Sequence, residues 1–290
     1  MTQTPTYEGA SPQAIQHHYD VGNAFYALWL DPSLCYSSAL WEGQNDELLA
    51  AQNRKLDYIA AGAKAHRTRS VLDIGCGWGA MLRRLTENHG VTHAVGLTLS
   101  EAQARHINRS PHPQIDVYVE NWIDHRPVTG YDAIVSIGAF EHFADMGMTR
   151  RSRICAYREF FERCALWLPV GGRLALETTT KGNNTRLSRT TVRDLLFMID
   201  EIFPESEIPW LSEIIEASER LFEPITVVNR PHDYARTCRE WHRRLRERRS
   251  AAEDLVGIDT VRSYARYLTA AADALDNHHL GLAWLVLEKS

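Results

Sequence analysis

A short apolar run that ends in a glycine-rich turn constrains the fold of this chain more than any other feature of its sequence. The run spans residues 70–74, and Gly75, Gly77 and Gly79 follow it at alternate positions. A buried strand that leads through such a turn into a helix is typical of a parallel α/β sheet, because glycines let the backbone approach a ligand closely. The sequence therefore predicts an open α/β sheet with a ligand bound at this turn.

Further β-type runs alternate with helical patterns along the rest of the chain. The seven predicted strands span residues 70–74, 93–97, 116–119, 133–137, 173–178, 224–228 and 283–288. This βαβ rhythm indicates a mostly parallel sheet. A last strand at the C-terminus predicts a hairpin return at the sheet edge, which favours a methyltransferase-type sheet over a six-stranded dinucleotide-binding fold.

The segments between the predicted strands divide one domain, residues 1–290, into parts. Residues 1–66 have apolar and aromatic helical spacing and predict a helical N-terminal cover over the open end of the sheet. Residues 67–180 and 223–290 form the predicted sheet core with its helices, and residues 181–222 form a lid-like insertion. Together with a helical stretch at 233–275, these segments are expected to roof a pocket.

Composition and charge exclude several classes of function. The net charge of −5 gives no reason to expect a nucleic-acid partner. We find neither a secretory signal pattern nor an apolar stretch long enough for a membrane span, so the sequence predicts a cytoplasmic protein. The five cysteines have no metal-ligand or redox spacing, so we expect them to be reduced and expect no metal site.

The spacing around the glycine turn narrows the choice of ligand. A nicotinamide site favours GxGxxG and an acidic residue at the end of the second strand, whereas this chain has GxGxG and ends that strand at Thr98 without a carboxylate. The turn also lacks the Lys-Ser/Thr pair of a phosphate-binding P-loop. Nucleotide-dependent hydride transfer and P-loop chemistry are therefore disfavoured.

Several motifs together resemble the cyclopropane fatty acid and mycolic acid cyclopropane synthase family. They are Leu-Asp-Ile-Gly-Cys-Gly-Trp-Gly at 72–79, Gly-Leu-Thr-Leu-Ser at 96–100, Ser-Ile-Gly-Ala-Phe-Glu-His-Phe at 136–143, and shorter matches at 17–20, 30–32, 36–37, 201–204, 232–235 and 267–269. The resemblance covers nearly the whole chain. It implies a Rossmann-like class I methyltransferase fold and S-adenosylmethionine as the methyl donor.

The resemblance also implies which residues line the donor site. They are Tyr36, Ser37, Gly75, Gly77, Thr98, Gln103, Trp122 and Ile137, and Asp73 lies inside the glycine motif. Ile123 occupies a position where the family usually has an acidic residue next to Trp122. Gln103 also fits a capping box that starts at Ser100, and Trp122 also fits a core aromatic, so both roles stay open for each.

Polar residues that follow the fourth, fifth and sixth strands are the candidates for catalysis. Glu141 and His142 follow the fourth strand, Glu177 ends the fifth and Tyr234 follows the sixth. When a carbon π-system takes up a methyl group, positive charge develops, so the site needs nearby negative groups and a base. Structural roles remain open: Glu141 as a helix cap or arginine partner, and His142 as a supporting hydrogen-bonded residue.

The resemblance implies a bicarbonate base held by a cysteine, a glutamate, a histidine and a tyrosine, but this chain matches that set only in part. Ser38 stands at the cysteine position and is a further candidate for catalysis, and Glu177 stands at the histidine position. Since a carboxylate repels a bound anion, we expect no bicarbonate, and Glu177 then serves as the base or stabilises the cationic intermediate.

We therefore expect C-methylation of an electron-rich carbon, such as an indole, another aromatic ring or an activated alkene, in a small specialised metabolite. One alternative is modification of an unsaturated fatty acyl chain, presented by a lipid surface or a carrier protein to basic helices at 150–153 and 242–249. Another is a non-catalytic or pericyclase protein that binds the donor. The sequence leaves a homodimer open.

Overall fold

A seven-stranded sheet forms the centre of the computed structural model, which describes residues 21–290. The strands are β1 (Ser70–Ile74), β2 (His93–Thr98), β3 (Ile115–Val119), β4 (Ala133–Ile137), β5 (Arg173–Lys181), β6 (Phe222–Asn229) and β7 (Leu280–Lys289). Their order is β3-β2-β1-β4-β5-β7-β6, with β7 antiparallel to both of its neighbours and the β1–β5 pairs parallel. The predicted Rossmann-like class I methyltransferase fold is confirmed. The motif at 17–20 lies outside the described residues.

Ten helices of the described part pack around this sheet. They are α1 (Asn23–Trp29), α2 (Leu48–Gly62), α3 (Ala80–Asn88), α4 (Glu101–Asn108), α5 (Arg150–Trp167), α6 (Arg189–Phe197), α7 (Leu211–Ser218), α8 (Pro231–Glu247), α9 (Arg249–Val256) and α10 (Ile258–Asp276). A 3₁₀ turn, Phe140–His142, follows β4, and a π-helical turn, Met198–Ile202, continues α6. None of the described helices is long and apolar enough to cross a membrane.

The strand at the C-terminus begins three residues earlier than predicted. Leu280 pairs with Lys181 and Gly281 with Thr180. A Cβ at Gly281 would lie 2.6 Å from the hydroxyl oxygen of Thr180, so this position requires glycine for the two strands to approach.

Apolar clusters cover both faces of the sheet and its carboxyl edge. One face packs against α5 through rings such as Phe160 and Phe161, and the other packs against α2 and α3 through Leu56 and Leu85. A third cluster, rich in aromatic rings, joins α1, α8 and α10 and includes the fully buried Trp29. Helices from before and after the first five strands form this third cluster together, and Tyr36 and Tyr234 pack against it.

The segment predicted as one lid-like insertion, residues 181–222, has two structural roles. Its second helix, α7, packs on α5, with Ile214 and Ala217 buried in the same cluster as Phe161. That helix lies between β5 and β6 along the sheet face, and none of its residues lines either cavity at the carboxyl edge of the sheet. The part before it, around α6 and the π-helical turn, supplies Leu195 and Met198 to a cavity wall.

Candidate active site

Two adjoining pockets open at the carboxyl ends of β1, β2 and β4. Both are lined by Tyr36, Ser37, Gly138 and His142, which therefore mark the boundary between them. Ligands of open α/β sheets bind at this edge. A molecule in the first pocket would touch a molecule in the second across these shared residues.

The glycine turn forms the floor of the first pocket. Gly77 has φ +53°, and a Cβ added there would meet no protein atom within 4 Å, so its backbone faces open space. Gly75 has φ +83°, and a Cβ there would lie 2.4 Å from Cβ of Ala139. Gly77 thus leaves room for a ligand, and Gly75 allows the turn to pack against the segment after β4.

Asp73 lies at the bottom of the first pocket and is 2% exposed. Its Oδ1 atom has no hydrogen-bond partner among residues 21–290. Burial raises the pKa of Asp73 to about 7, although the charge of Lys55 acts in the opposite direction. A buried carboxylate oxygen without a partner is suited to a polar or cationic part of a ligand.

Gln103 lies at the start of α4, where only half of the predicted capping box forms. Its backbone N–H donates to Oγ of Ser100 at 3.2 Å, so Ser100 caps α4. The backbone N–H of Ser100 donates to the hydroxyl of Thr98 and not to Gln103. The side-chain oxygen of Gln103 instead accepts a hydrogen bond of 2.7 Å from the hydroxyl of Thr98, and both side chains line the first pocket.

Trp122 belongs both to the core and to the wall of the first pocket. Its ring contacts Phe143 and Phe160 at centroid distances of 5.2 and 5.5 Å. Ile123, predicted beside it as a donor contact, does not line this pocket and packs into the core instead. Its backbone N–H is held by Oδ1 of Asn121, which does line the pocket.

Every other residue predicted for the donor site lies in the first pocket. These are Tyr36, Ser37, Asp73, Gly75, Gly77, Thr98, Gln103, Trp122 and Ile137. Their backbone space, buried carboxylate and aromatic wall fit the amino-acid and adenine ends of S-adenosylmethionine. Glu120, at the same wall, was missed because it lies after β3 rather than at the end of β2, where the sequence was searched for an acidic residue.

The second pocket is apolar except for two glutamates, a histidine and a few hydroxyl groups. Glu177 on β5 is 1% exposed; its Oε1 atom accepts a hydrogen bond of 3.2 Å from the backbone N–H of Ser38, and its Oε2 atom has no partner within the described part of the chain. Burial raises the pKa of Glu177 to about 7, with Lys55 opposing the shift and Glu141 adding to it. Glu177 is thus a buried carboxyl group with one oxygen that has no partner in residues 21–290, in a largely apolar pocket.

Glu141 has a similar arrangement on the adjacent turn. Its Oε1 atom accepts a hydrogen bond of 2.5 Å from the backbone N–H of Thr179, and its Oε2 atom is buried without a partner in residues 21–290. Burial raises the pKa of Glu141, although hydrogen bonds from Thr179 and Thr178 act against that shift. Glu141 therefore does not cap α5, whose N-terminus is capped by Thr149, and it forms no ion pair with the residues that the structure describes.

The remaining catalytic candidates divide between the pocket and its surroundings. Tyr234 lines the second pocket, and burial raises its pKa well above the usual value. His142 lines both pockets, is bonded through Nδ1 to Oγ of Ser206 at 2.8 Å, and has a pKa lowered by burial to about 4, so it is neutral. The side chain of Ser38 lines neither pocket and donates to the carbonyl of Ala39, so the prediction that this side chain acts in catalysis is wrong; only its backbone reaches the site.

Lys55 was missed by sequence reasoning. It lies on α2, is fully buried, lines the first pocket and donates to Oγ of Ser37 at 2.6 Å and to Sγ of Cys35 at 3.1 Å. A lysine on the apolar face of a helix is the signal that was available, since a buried ammonium group is costly without partners. No group of three or more metal-ligating side chains was found in residues 21–290.

Comparison with known proteins places this geometry in a family. A family model described as mycolic acid cyclopropane synthetase matches residues 8–284. Cyclopropane mycolic acid synthase MmaA2 of Mycobacterium tuberculosis is 35% identical over 285 residues, which cover 93% of this chain and 92% of the relative. The match extends over nearly the full length of both proteins, as the motifs predicted.

Solved structures agree with the sequence matches. The structure of MmaA2 from Mycobacterium tuberculosis superposes with a TM-score of 0.88 at 31% identity and covers 100% of both chains. Mycolic acid cyclopropane synthase CmaA1 complexed with SAH and CTAB superposes with a TM-score of 0.88 at 29% identity, over 97% of this chain and 99% of that one. Fold, pockets and comparisons lead to one conclusion: this chain is an S-adenosylmethionine-dependent enzyme of the mycolic acid cyclopropane synthetase family.

Proposed function

We propose that this enzyme transfers the methyl group of S-adenosylmethionine to an alkene carbon of an unsaturated acyl chain, with Glu177 as the built-in base. The observation that carries the proposal is the Oε2 atom of Glu177, which has no hydrogen-bond partner in residues 21–290. This atom is buried in an apolar pocket that adjoins the donor pocket. An apolar pocket suits a hydrocarbon chain, and a carboxylate is needed only where positive charge develops or a proton leaves.

When bound, S-adenosylmethionine supplies a methyl group on a positively charged sulfur, which leaves with the electron pair of the broken carbon–sulfur bond. The alkene carbon forms the new carbon–carbon bond, and its neighbour becomes positively charged. Glu141 and Glu177 lie where they stabilise that charge, and Glu177 accepts the proton that is then lost. Loss from a neighbouring carbon gives a methylated alkene, and loss from the transferred methyl gives a cyclopropane ring.

The relatives support the acyl chain over the small aromatic acceptor that the sequence favoured. MmaA2 is a cyclopropane mycolic acid synthase, and CmaA1 was solved with CTAB bound. The aliphatic and flexible side chains of the second pocket, such as Leu195, Met198 and Leu282, fit a hydrocarbon chain. Four aromatic rings also line this pocket and suit either acceptor class, namely Tyr36, Phe203, Tyr234 and Tyr267. Indoles and other small metabolites remain the competing acceptor class for the experiment below.

With Glu177 as the base, the reaction needs no bound bicarbonate. Glu177 and Glu141 face the same pocket, and their like charges already raise the pKa of Glu177. A bound anion would add to that repulsion. The carboxylate of Glu177, fixed to β5, thus takes the place of a diffusible base.

The test is product analysis with purified enzyme and S-adenosylmethionine. The acceptors are phosphatidylglycerol vesicles with cis-monounsaturated acyl chains, the same acyl chain on a carrier protein, and a panel of soluble indoles and phenols. We expect release of S-adenosylhomocysteine together with an acyl chain heavier by one CH₂ group. Turnover on the aromatic panel alone would contradict the acyl proposal, and failure to release S-adenosylhomocysteine with any acceptor would favour the non-catalytic alternative.

A further inference from the structure

Lys55 contacts residues at the boundary between the two pockets. Its ammonium group donates to Ser37, which lines both pockets, and to Cys35, which lines the first. It has no exposed surface. A buried ammonium group costs several kcal/mol unless nearby groups compensate for the lost water, so the fold retains this charge at a specific place beside the reaction site.

A second side chain on the same face of α2 holds the same segment. Gln52, three residues before Lys55, donates through Nε2 to the carbonyl of Ser37 at 2.9 Å and of Cys35 at 3.3 Å. Asp31 accepts a further hydrogen bond of 3.1 Å from the backbone N–H of Cys35. Backbone and side chains of residues 35 and 37 are thus fixed by groups that are themselves buried.

This fixed segment leads directly to the proposed base. Tyr36 lines both pockets, and the backbone N–H of Ser38 donates to Oε1 of Glu177. The position of Glu177 relative to the donor pocket therefore depends on where residues 35–38 lie. Lys55 and Gln52 determine that position together, but only Lys55 carries a charge.

The charges around Lys55 and Glu177 are coupled. Burial alone would lower the pKa of Lys55, but Cys35, Glu177 and Asp31 outweigh that effect and raise it. Lys55 in turn lowers the pKa of Glu177, against the effects of burial and of Glu141. Lys55 also acts on Asp73 in the same direction.

Of the other titratable groups that line the second pocket, His142 is neutral because burial lowers its pKa to about 4, and burial raises the pKa of Tyr267 well above the usual value. Burial also raises the pKa of Tyr234 on α8 well above the usual value, and Glu141 and Glu177 add to that shift. Tyr234 is therefore neutral over the pH range of interest. It adds no charge that would offset the loss of Lys55.

We propose that Lys55 is a positioning residue of the transfer reaction: it fixes the segment between the two pockets, and its buried positive charge keeps Glu177 in the carboxylate form that accepts the proton. This inference rests on the proposed role of Glu177 as base. A residue of α2, a helix that packs against the sheet, thereby controls whether Glu177 is ionised.

The experiment measures the ionisation of Glu177 directly in the full-length protein. Glutamate side-chain carboxyl groups are labelled with ¹³C and titrated by NMR, and the Glu177 signal is assigned by its loss in E177Q. In K55M we expect the titration midpoint of Glu177 to rise by about one pH unit or more, since a nearby cation lowers a carboxyl pKa by that amount. K55R retains the charge and is expected to keep the midpoint near that of the wild type.

Q52L is the matched control, because it loosens the same segment without removing a charge. It should weaken S-adenosylhomocysteine binding and leave the Glu177 midpoint in place, whereas K55M should shift both. In turnover assays, the acid limb of the K55M rate profile should move to higher pH and kcat should recover above the new midpoint. An unchanged midpoint in K55M would overturn the inference.

If K55M does not fold, K55Q is titrated in its place, because glutamine keeps a hydrogen-bond donor at this position and removes the charge. An unchanged Glu177 midpoint in K55Q would then overturn the inference. The NMR titration needs no acceptor. Thus full turnover by E177Q would refute the proposed function, while an unshifted Glu177 signal in K55M would refute only the role of Lys55.

Discussion

The backbone N–H of Ser38 donates a hydrogen bond to Oε1 of Glu177 over 3.2 Å, although 139 positions separate the two residues in sequence. This bond orients the carboxylate so that one oxygen is held and the other stays without a partner. The cover before the sheet thereby controls the orientation of a residue within the sheet. A general base requires this kind of fixed orientation.

Replacing Glu177 by glutamine should reduce kcat by about 10²- to 10⁴-fold, the usual contribution of a positioned acid or base. Glutamine keeps the size and the acceptor oxygen for Ser38, so S-adenosylhomocysteine affinity should stay within about twofold. Isothermal titration calorimetry and turnover assays separate the two effects. Near-normal turnover by E177Q would remove the basis of the proposed function.

The rate should depend on pH through Glu177. Burial raises the pKa of this carboxyl to about 7, and only the carboxylate accepts a proton. We therefore expect kcat to be high above that value and to fall as pH decreases through it. His142, with a pKa near 4, is neutral throughout and adds no limb in this range. A profile flat between pH 5 and 9 would contradict this assignment.

Removal of dissolved carbon dioxide and bicarbonate should leave the wild-type rate unchanged, because Glu177 is part of the chain. Removing the built-in carboxylate in E177H should lower the rate, and added bicarbonate should restore part of it, because an anion no longer meets the charge of Glu177. Rates in carbonate-free buffer with and without bicarbonate test both statements. The wild-type enzyme serves as the control, and no gain from bicarbonate in E177H would contradict the second statement.

Alanine substitutions at the two turn glycines should have different consequences. A Cβ at Gly77 meets no protein atom within 4 Å but enters the first pocket, so G77A should lose at least about tenfold in S-adenosylhomocysteine affinity. Its positive φ costs only about 1 kcal/mol of stability. A Cβ at Gly75 would collide with Ala139 at 2.4 Å, so G75A should lose at least about 2 kcal/mol. Thermal unfolding and calorimetry distinguish the two glycines.

Removing the hydroxyl of Ser206 should affect the acceptor and not the donor. Ser206 lines the second pocket and bonds to Nδ1 of His142 at 2.8 Å, which joins the segment after α6 to the site. The loss of one such bond should raise the acceptor KM by about 2- to 10-fold. Donor affinity is the internal control, because Ser206 does not line the first pocket. An equal loss of donor affinity would show that the bond stabilises the whole site.

The sequence by itself determined the mostly parallel sheet, the glycine turn and two carboxylates, Glu141 after β4 and Glu177 on β5. These features depend on local order along the chain: a strand period, a turn that needs glycine, and residues that lie toward the carboxyl edge of a strand. For the same reason Glu141 and Glu177 were predicted at one rim from sequence position alone, although β5 continues to Lys181, four residues past Glu177. The order in which the strands pair depends on contacts between distant segments and was not predicted.

Only the tertiary structure decided which groups meet at that rim. In the sequence, Lys55 and Gln52 look like ordinary residues of an amphipathic helix, and only the packing of α2 against residues 35–38 gives them their contacts. Ser38 contributes its backbone N–H, although its side chain was expected to act. Likewise, α7 proved to be a sheet-face helix and not a lid. Such contacts join residues far apart in sequence, so they depend on how the elements pack. The hydrophobic pattern directs that packing, but it does not specify which polar atoms the packing brings together.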